Sequence, residues 1–416
     1  MRKSRNLKSR SENQRDFLPT RQIGVGGLEL GPKEKAYLSR VIRSNRLSYG
    51  PFSQKFEALF ARLHDCQFAV FCSSGTSALH LAVAALKEAS SWQDGDEIIV
   101  PATTFIATSN VVLHNRLKPV FVDVDARTYN MDSKLIEEKI TTRTRALMPV
   151  HLMGLPCDMD PICEIATRHR LRIIEDSCET MFASYRGRKV GSMGDIGCFS
   201  TYIAHFIVAG IGGLAITNDR ALAEIMRSMM NHGRDTIYTN IDDDQGVPSE
   251  KLREIVAKRF SFVRLGFNFR ATEMEAAIGL AQLEYKDQII RARRKNAQLF
   301  MRKLEDLKDY IQLPVIPPDR DHMFMLFPIV VKKGSKQELV DFLEENMIET
   351  RDLFPLLNQP AYRRIFGKLE GQFPVSQWLA QNGFYIGCHQ YLTNEEKEYV
   401  VGRFHEYFRT NKDRSR

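Results

Sequence analysis

Residues 68–89, FAVFCSSGTSALHLAVAALKEA, combine a short apolar run, a turn of serines and glycine, and a longer apolar segment. The run at 68–72 predicts a buried strand, and the segment after Gly75 predicts a helix. A helix that begins at such a turn has free N–H groups and a partial positive charge at its first residues. The stretch therefore predicts a strand–turn–helix unit whose turn can hold an anion.

Short, continuous apolar runs alternate with helical patterns over residues 97–217. Such runs are typical of strands covered by helices on both faces, as in a parallel sheet. In order, they are EIIVPA, PVFVDVD, ALMPVH, RIIEDS, GCFSTY and GLAITN. Together with residues 68–72 they predict an α/β protein with a mostly parallel seven-stranded sheet. In such sheets ligands bind at the carboxyl ends of the strands.

The chain length predicts more than one domain, because 416 residues exceed the usual size of a single domain. We predict a disordered basic arm at 1–21, a large α/β domain with an entry arm at 22–285, a smaller α+β domain at 286–408 and a disordered tail at 409–416. Residues 133–140 read as a helix, and 233–262 as a polar surface excursion. Residues 265–304 read as a turn and then one long helix leading into the smaller domain.

The net charge of +8 lies at the two ends of the chain. Residues 1–21 contain seven Lys or Arg and two acids (+5), and residues 409–416 contain four and one (+3). The region between them is close to neutral, which argues against a nucleic-acid-binding face. The apolar stretch 206–217 is too short to cross a bilayer and contains three glycines. Seven scattered cysteines without zinc-site spacing indicate reduced thiols in a cytoplasmic protein, with no metal site.

Residues 195–214, DIGCFSTYIAHFIVAGIGGL, place His205 between a hydroxyl pair and three glycines. The glycines let the backbone turn tightly beside the histidine. A histidine in an apolar setting can also be a satisfied core residue. The flanking hydroxyls and glycines favour a site that surrounds a bound molecule.

The chain resembles a known enzyme family from about residue 23 to residue 408, and residues 195–214 are one part of that resemblance. Its motifs are NRLSYGP, SSGTSALHLA, PATTFIATSN, PVFVDVD, PVHLMG, IIEDS, DIGCFS, GLAITND, NHGRD and GFNFRATEMEAAIGLAQLE. They resemble the sugar aminotransferase family (DegT-type) of fold type I pyridoxal phosphate (PLP) enzymes. The resemblance implies a homodimer whose two active sites lie at the subunit interface.

The resemblance also implies which residues bind the cofactor. Asp176 would pair with the pyridine nitrogen, although an aspartate there can also be a helix N-cap. Phe105 would stack on the ring, although alone it could be a core residue. Glu179 lies where aminotransferases usually have glutamine or histidine beside the phenolic oxygen, so its role is open. The implied phosphate ligands are Thr76, Ser77, Ser200 and, from the other subunit, Asn268.

His205 occupies the position where most of this family has the lysine that binds PLP as an imine. A few members with histidine here are sugar 3-dehydratases, which use pyridoxamine phosphate (PMP) and an amino donor such as glutamate on a nucleotide-linked 4-keto-6-deoxyhexose. The resemblance implies that His205 is the catalytic base, since its ordinary pKa lies near neutrality. Two alternatives remain: a sugar aminotransferase with an unorthodox cycle, or a catalytically silent cofactor-binding subunit.

Overall fold

The computed structural model describes residues 17–237 and 243–414. Most of the predicted basic arm, residues 1–16, and the last two residues of the predicted tail lie outside this range. The strands are β1 (Phe68–Cys72), β2 (Glu97–Pro101), β3 (Lys118–Val122), β4 (Thr144–Leu147), β5 (Arg172–Asp176), β6 (Ser184–Tyr185), β7 (Arg188–Lys189), β8 (Ile196–Ser200), β9 (Gly213–Thr217), β10 (Ile311–Gln312), β11 (Leu326–Val331), β12 (Thr350–Asp352) and β13 (Gly383–Gly387).

The α-helices surround two separate sheets. In chain order they are α1 (Pro32–Ser44), α2 (Pro51–Leu63), α3 (Gly75–Ala89), α4 (Ala107–His114), α5 (Met159–His169), α6 (Arg220–Met230), α7 (Ser249–Lys258), α8 (Glu273–Glu284), α9 (Lys286–Lys303), α10 (Lys336–Glu345), α11 (Pro360–Phe366), α12 (Pro374–Asn382) and α13 (Asn394–Arg414).

The large sheet has seven strands in the order β1-β9-β8-β5-β4-β2-β3. Only β9 is antiparallel to its neighbours, β1 and β8, and the remaining pairs are parallel. All five residues of β2, β8 and β9 are buried, as expected for strands covered on both faces. The prediction of a mostly parallel seven-stranded α/β sheet is therefore confirmed.

Helix α3 lies directly on this sheet, against β8 and β9. Its alanines and leucines are almost all buried, which allows close contact between helix and strands. Ser74 ends the preceding turn, and its hydroxyl accepts a hydrogen bond from the Ser77 N–H at 3.0 Å. This N-cap fixes the first turn of α3 beside the end of β1.

The second sheet is antiparallel, in the order β10-β11-β13-β12. It packs with α9, α10 and α13 around a separate apolar cluster that includes Phe300, Phe327, Phe384 and Phe404. This sheet and its helices are called here the smaller half of the chain. Residues 23–27, called here the N-terminal strap, also pack against it. Ile23 pairs with Ile348, and the Val25 N–H donates to Glu349 Oε2 at 2.7 Å.

Several helix expectations were wrong. The single long helix predicted within 265–304 is two helices, α8 and α9, separated at Tyr285, where φ −100° and ψ 3° leave the helical range. Residues 133–140 form two short 3₁₀ turns rather than a helix. The described residues of the expected surface excursion at 233–262 are mostly exposed, and they include a helix that was not predicted, α7. Helix α13 continues to Arg414, past the expected domain end at 408.

The described residues contain no group of three or more His, Cys, Asp or Glu side chains placed to hold a metal ion. All seven cysteines are free thiols. In the part of the chain that the structure describes, no helix is long and apolar enough to cross a membrane.

Candidate active site

A cavity of about 370 Å³ lies at the carboxyl ends of β5 and β8, beside the start of α3. Its walls come from the large sheet, from the loop between β8 and β9, and from the smaller half of the chain. Six of the eight site residues expected from the sequence line it: Thr76, Phe105, Asp176, Glu179, Ser200 and His205. The strand ends therefore bring together residues that are up to 129 positions apart in the chain.

The start of α3 forms one end of the cavity. Gly75 approaches the end of β8 so closely that a Cβ at this position would lie 2.7 Å from Cβ of Ser200. Ser77 lies behind the wall, and its hydroxyl is hydrogen bonded to Ser73 and Ser74, each at 2.9 Å. Thr76 and Ser200 therefore present their side chains at the helix N-terminus, where a phosphate is favoured.

Asp176, at the end of β5, is a buried carboxylate without a cationic partner in the described residues. The Thr108 hydroxyl donates to Oδ2 at 2.8 Å, and the Cys178 N–H donates to Oδ1 at 3.1 Å. Burial raises the pKa of Asp176, and these hydrogen bonds oppose the rise. No helix begins after it, so it is not a helix N-cap. A protonated pyridine nitrogen would supply the missing positive charge.

Glu179 lies in the same wall and is 6% exposed. The Met153 N–H donates to Glu179 Oε2 at 2.8 Å. Burial, with a further contribution from Asp176, raises the pKa of Glu179 to about 8. At neutral pH this side chain is largely a neutral acid, which can donate as well as accept a hydrogen bond.

Phe105 is 56% exposed and lies at the cavity edge rather than in the core. Its ring meets Phe354 edge to face, with 6.3 Å between the ring centroids. One face of the ring remains available to stack on a planar group.

His205 lies in the loop between β8 and β9 and faces the cavity, so it is not a core histidine. Its Nδ1 is 3.2 Å from the Tyr202 carbonyl oxygen. Because a carbonyl can only accept, Nδ1 carries the proton and Nε2 keeps its lone pair. Burial is the main cause that lowers the pKa of His205 to about 4, so the imidazole is neutral at pH 7.

Asn268 does not line this cavity. It is exposed, and its Oδ1 accepts from Arg270 Nε at 2.9 Å. The preceding segment is exposed and apolar, with Val263 at 54% and Leu265 at 95% exposure. Within one chain, Asn268 and the cavity are therefore separate.

Distant segments of the chain also line the cavity, and the sequence did not predict them. They are Val25 of the N-terminal strap and Met325, Leu326, Phe354 and Tyr385 of the smaller half. Apolar residues in a second domain give no local signal of a site. Thr108, in the first turn of α4, could have been found from the run of hydroxyl residues in PATTFIATSN, and its hydroxyl is 2.8 Å from that of Thr104, which precedes the helix.

The residues present fit PLP. A helix N-terminus, a buried carboxylate without a cation, an exposed aromatic ring and a close glycine approach surround one cavity. Among the described residues that line it there is no lysine. These features define a binding site for a phosphorylated aromatic cofactor, and the comparisons with known proteins agree.

A solved structure of GDP-4-keto-6-deoxymannose-3-dehydratase with a trapped PLP-glutamate geminal diamine superposes with a TM-score of 0.83. It is 28% identical, and the match covers 93% of this chain and 100% of that chain. The fold is that of the fold type I PLP-dependent enzymes.

The chain belongs to the DegT/DnrJ/EryC1/StrS aminotransferase family, whose family model matches residues 29–405. It is therefore an enzyme of a PLP-dependent family. GDP-perosamine synthase of Caulobacter vibrioides is 34% identical over 385 residues, 91% of this chain and 96% of that protein. GDP-4-keto-6-deoxy-D-mannose 3-dehydratase of Escherichia coli O55:H7 is 30% identical over 371 residues, 87% of this chain and 94% of that protein.

Proposed function

We propose that the protein is a PMP-dependent 3-dehydratase that removes the C3 hydroxyl of a nucleotide-linked 4-keto-6-deoxyhexose. The observation that carries this proposal is the neutral imidazole of His205 in a cavity whose described lining contains no lysine. Without a lysine, the cofactor is held only by non-covalent contacts. This suits an amine cofactor better than a resting aldehyde.

Four side chains would hold the cofactor. Thr76 and Ser200 would bind its phosphate, Asp176 its ring nitrogen, and Phe105 one face of the ring. When bound, the cofactor supplies an amine for the keto group and a ring that accepts electrons. Glu179, as a neutral acid beside Asp176, can donate a hydrogen bond to the phenolic oxygen.

His205 would move the proton. With the cofactor bound, its Nε2 would accept a proton at C4′ and would donate it to the oxygen of the C3 hydroxyl, which leaves as water. The hydrogen bond from Nδ1 to the Tyr202 carbonyl fixes the tautomer that this role requires. The lowered pKa keeps Nε2 unprotonated at pH 7, and it also makes the imidazole a weaker base than an ordinary histidine.

Two chains would form a homodimer in which Asn268 completes the phosphate site of the partner. Support comes from the position of Asn268 outside its own cavity and from the exposed apolar residues before it. An Asn268→Ala chain should bind PMP weakly, and mixing it with a His205→Ala chain should restore activity in some heterodimers. No rescue, with both variants dimeric, would mean that each site is built within one chain.

The substrate and amino donor follow from the relatives. One is named for GDP-4-keto-6-deoxy-D-mannose, and a solved structure holds PLP joined to glutamate. We therefore expect a nucleotide-linked keto sugar and glutamate. The second candidate function is transamination, favoured by the identity to a GDP-perosamine synthase, and the third is a silent cofactor-binding subunit.

The first experiment separates these functions by product. The purified protein is loaded with PMP, supplied with GDP-4-keto-6-deoxymannose and glutamate, and the products are analysed by mass. A 3-deoxy keto sugar with released ammonia supports dehydration. A 4-amino sugar would overturn it, and firm cofactor binding without turnover on several keto sugars would indicate a silent subunit.

The second experiment tests His205. His205→Asn keeps the size of the side chain but removes the titrating nitrogen, so turnover should fall by about 10²–10⁴-fold while PMP still binds. His205→Lys should give a covalent cofactor that borohydride traps, whereas wild type should not be trapped. Near-native turnover of His205→Asn would show that another group moves the proton.

A further inference from the structure

Arg293, on α9, is 1% exposed and lies behind the His205 loop. Its guanidinium donates three hydrogen bonds, all to uncharged oxygens. The acceptors are the His205 carbonyl at 3.0 Å from Nη2, the Met325 carbonyl at 2.6 Å from Nη1, and Gln390 Oε1 at 3.1 Å from Nε. In the described part of the chain, Arg293 has no carboxylate partner.

An unpaired buried charge is costly, since the desolvation of one ion costs several kcal/mol in a real protein. Burial lowers the pKa of Arg293 to about 10, so it is still charged at neutral pH. The ring of Phe206, 4.9 Å from the guanidinium carbon, offsets part of the cost. Arg227, also largely buried, instead forms an ion pair with Glu57 at 2.8 Å. Arg293 therefore does not serve to neutralise a carboxylate.

The three acceptors belong to segments that are far apart in sequence. One is the loop that contains His205, one directly precedes β11, and one follows β13. Arg293 thus joins the carbonyl of His205 to two segments of the smaller half. The backbone that carries the imidazole is therefore fixed by a residue that does not itself line the cavity.

We infer that Arg293 is a positioning residue for His205: it fixes the backbone of the histidine and keeps a positive charge behind the imidazole. The inference rests on the proposed role of His205 as the base. A nearby positive charge disfavours the imidazolium, and so keeps Nε2 free to accept a proton.

The charge of Arg293 contributes to the lowered pKa of His205, after burial. The N-terminal strap, which contacts Ala204, contains no titratable side chain. The titratable groups that line the same cavity as His205, from its own loop, the β5 end and β13, are Tyr202, Asp176, Cys178, Glu179 and Tyr385. Burial raises the pKa of Asp176 and raises that of Glu179 to about 8, so Glu179 is largely neutral at pH 7 and is not a strong counter-charge to the imidazole.

The test uses Arg293→Gln, which removes the charge but keeps a hydrogen-bond donor, and Arg293→Lys, which keeps the charge but not the three-way contact. The matched control is Arg294→Gln, because Arg294 is the next residue on α9, 38% exposed and paired with Asp321. The pKa of His205 is measured by NMR on the cofactor-free protein with ¹³C-labelled histidine. The signal is assigned by its loss in His205→Asn.

In Arg293→Gln the pKa of His205 should rise above about 4 by the part that the charge contributes, which is smaller than the effect of burial, and the acid limb of kcat/KM should move up with it. In Arg293→Lys the pKa should stay low, while kcat falls about tenfold or more, since a misplacement of about 1 Å can cost about 10²-fold. Arg294→Gln should change neither.

An unchanged His205 pKa in folded Arg293→Gln, or wild-type kcat in Arg293→Lys, would overturn the inference. If Arg293→Gln does not fold, the Arg293→Lys result decides alone. The NMR measurement does not depend on turnover. A shifted pKa together with a fully active His205→Asn would therefore refute the proposed base and leave the electrostatic effect of Arg293 intact.

Discussion

Glu175 and Asp176 are adjacent on β5 and both are buried, yet their surroundings are opposite. Glu175 accepts hydrogen bonds from the N–H groups of Gly191, Met193 and Gly194 at 2.6–2.7 Å. His151 Nε2 lies 3.0 Å from the same carboxylate, and because His151 Nδ1 accepts from the Cys157 N–H, Nε2 is a donor. Asp176 accepts from the Thr108 hydroxyl and the Cys178 N–H, with a weaker contribution from the Cys178 thiol, and among the described residues it has no cationic partner.

The difference separates a structural carboxylate from a binding carboxylate. Glu175 organises the loop before β8 and has no capacity left for a ligand. Asp176 points to the cavity side of the same strand, and its raised pKa shows that the protein does not fully stabilise its charge. A buried carboxylate with too few donors marks the side of the sheet where a cationic ligand binds.

The largest expected effect comes from Glu175→Gln. The new amide NH₂ would face backbone N–H donors, and the contact with His151 would be lost. Losing these buried interactions of the Glu175 carboxylate should lower the free energy of unfolding by about 3–5 kcal/mol. Urea unfolding of the cofactor-free protein measures it. A loss below about 1 kcal/mol would show that Glu175 is not structural in this sense.

Asp176→Asn should do the opposite. The cofactor-free protein should be as stable as wild type or more stable, because the cost of burying an acid is removed. Affinity for PLP should fall by about 10–100-fold, since hydrogen bonds to charged groups contribute about 1.5–3 kcal/mol. Fluorescence titration with PLP measures the affinity, and unchanged binding would contradict the assignment of Asp176 to the ring nitrogen.

Glu179→Gln should stabilise the cofactor-free protein in a pH-dependent way. With a folded pKa of about 8 against an ordinary 4.5, the folded state binds more protons than the unfolded state between these values. The contribution of Glu179 to stability therefore falls as pH rises through this window. The gain of the variant should therefore grow from pH 5 to pH 8, by up to about 4 kcal/mol at about 1.4 kcal/mol per pKa unit. Equal gains at both pH values would mean that Glu179 does not titrate there.

The smallest expected effect is that of Thr108→Val, which removes one hydrogen-bond donor to Asp176. The pKa of Asp176 should rise further, and PLP should bind about threefold more weakly, as expected for one hydrogen bond of roughly 0.5–1 kcal/mol. The same titration measures it. A loss as large as that of Asp176→Asn would mean that Thr108 contacts the ligand directly.

The sequence predicted the large sheet well because its strands are continuous apolar runs between helices. It placed Asp176, Ser200 and His205 at strand ends, and the structure brings these residues to one cavity. The break at Tyr285 could not be predicted, since neither proline nor glycine marks it. There the packing of α8 and α9 in different halves overrides local helix propensity.

The functions of Glu175 and Asp176 could not be distinguished from RIIEDS alone. Strand alternation places them on opposite faces, but the three N–H donors to Glu175 come from a loop 16–19 residues later. Arg293 was also not predicted, because one arginine among several on a polar helix gives no sign of burial. Both cases depend on contacts between segments that are separate in sequence.

The N-terminal strap has a consequence for protein synthesis. Ile23 pairs with residue 348, Gly24 lies against Gly387, and Val25 lines the cavity. At about 5–20 residues per second, a ribosome needs roughly 15–65 s to add the residues between Ile23 and its partner. One of the first ordered segments to be made must therefore wait for one of the last. The active site cannot close before nearly the whole chain has left the ribosome, so nascent chains should be unable to retain the cofactor.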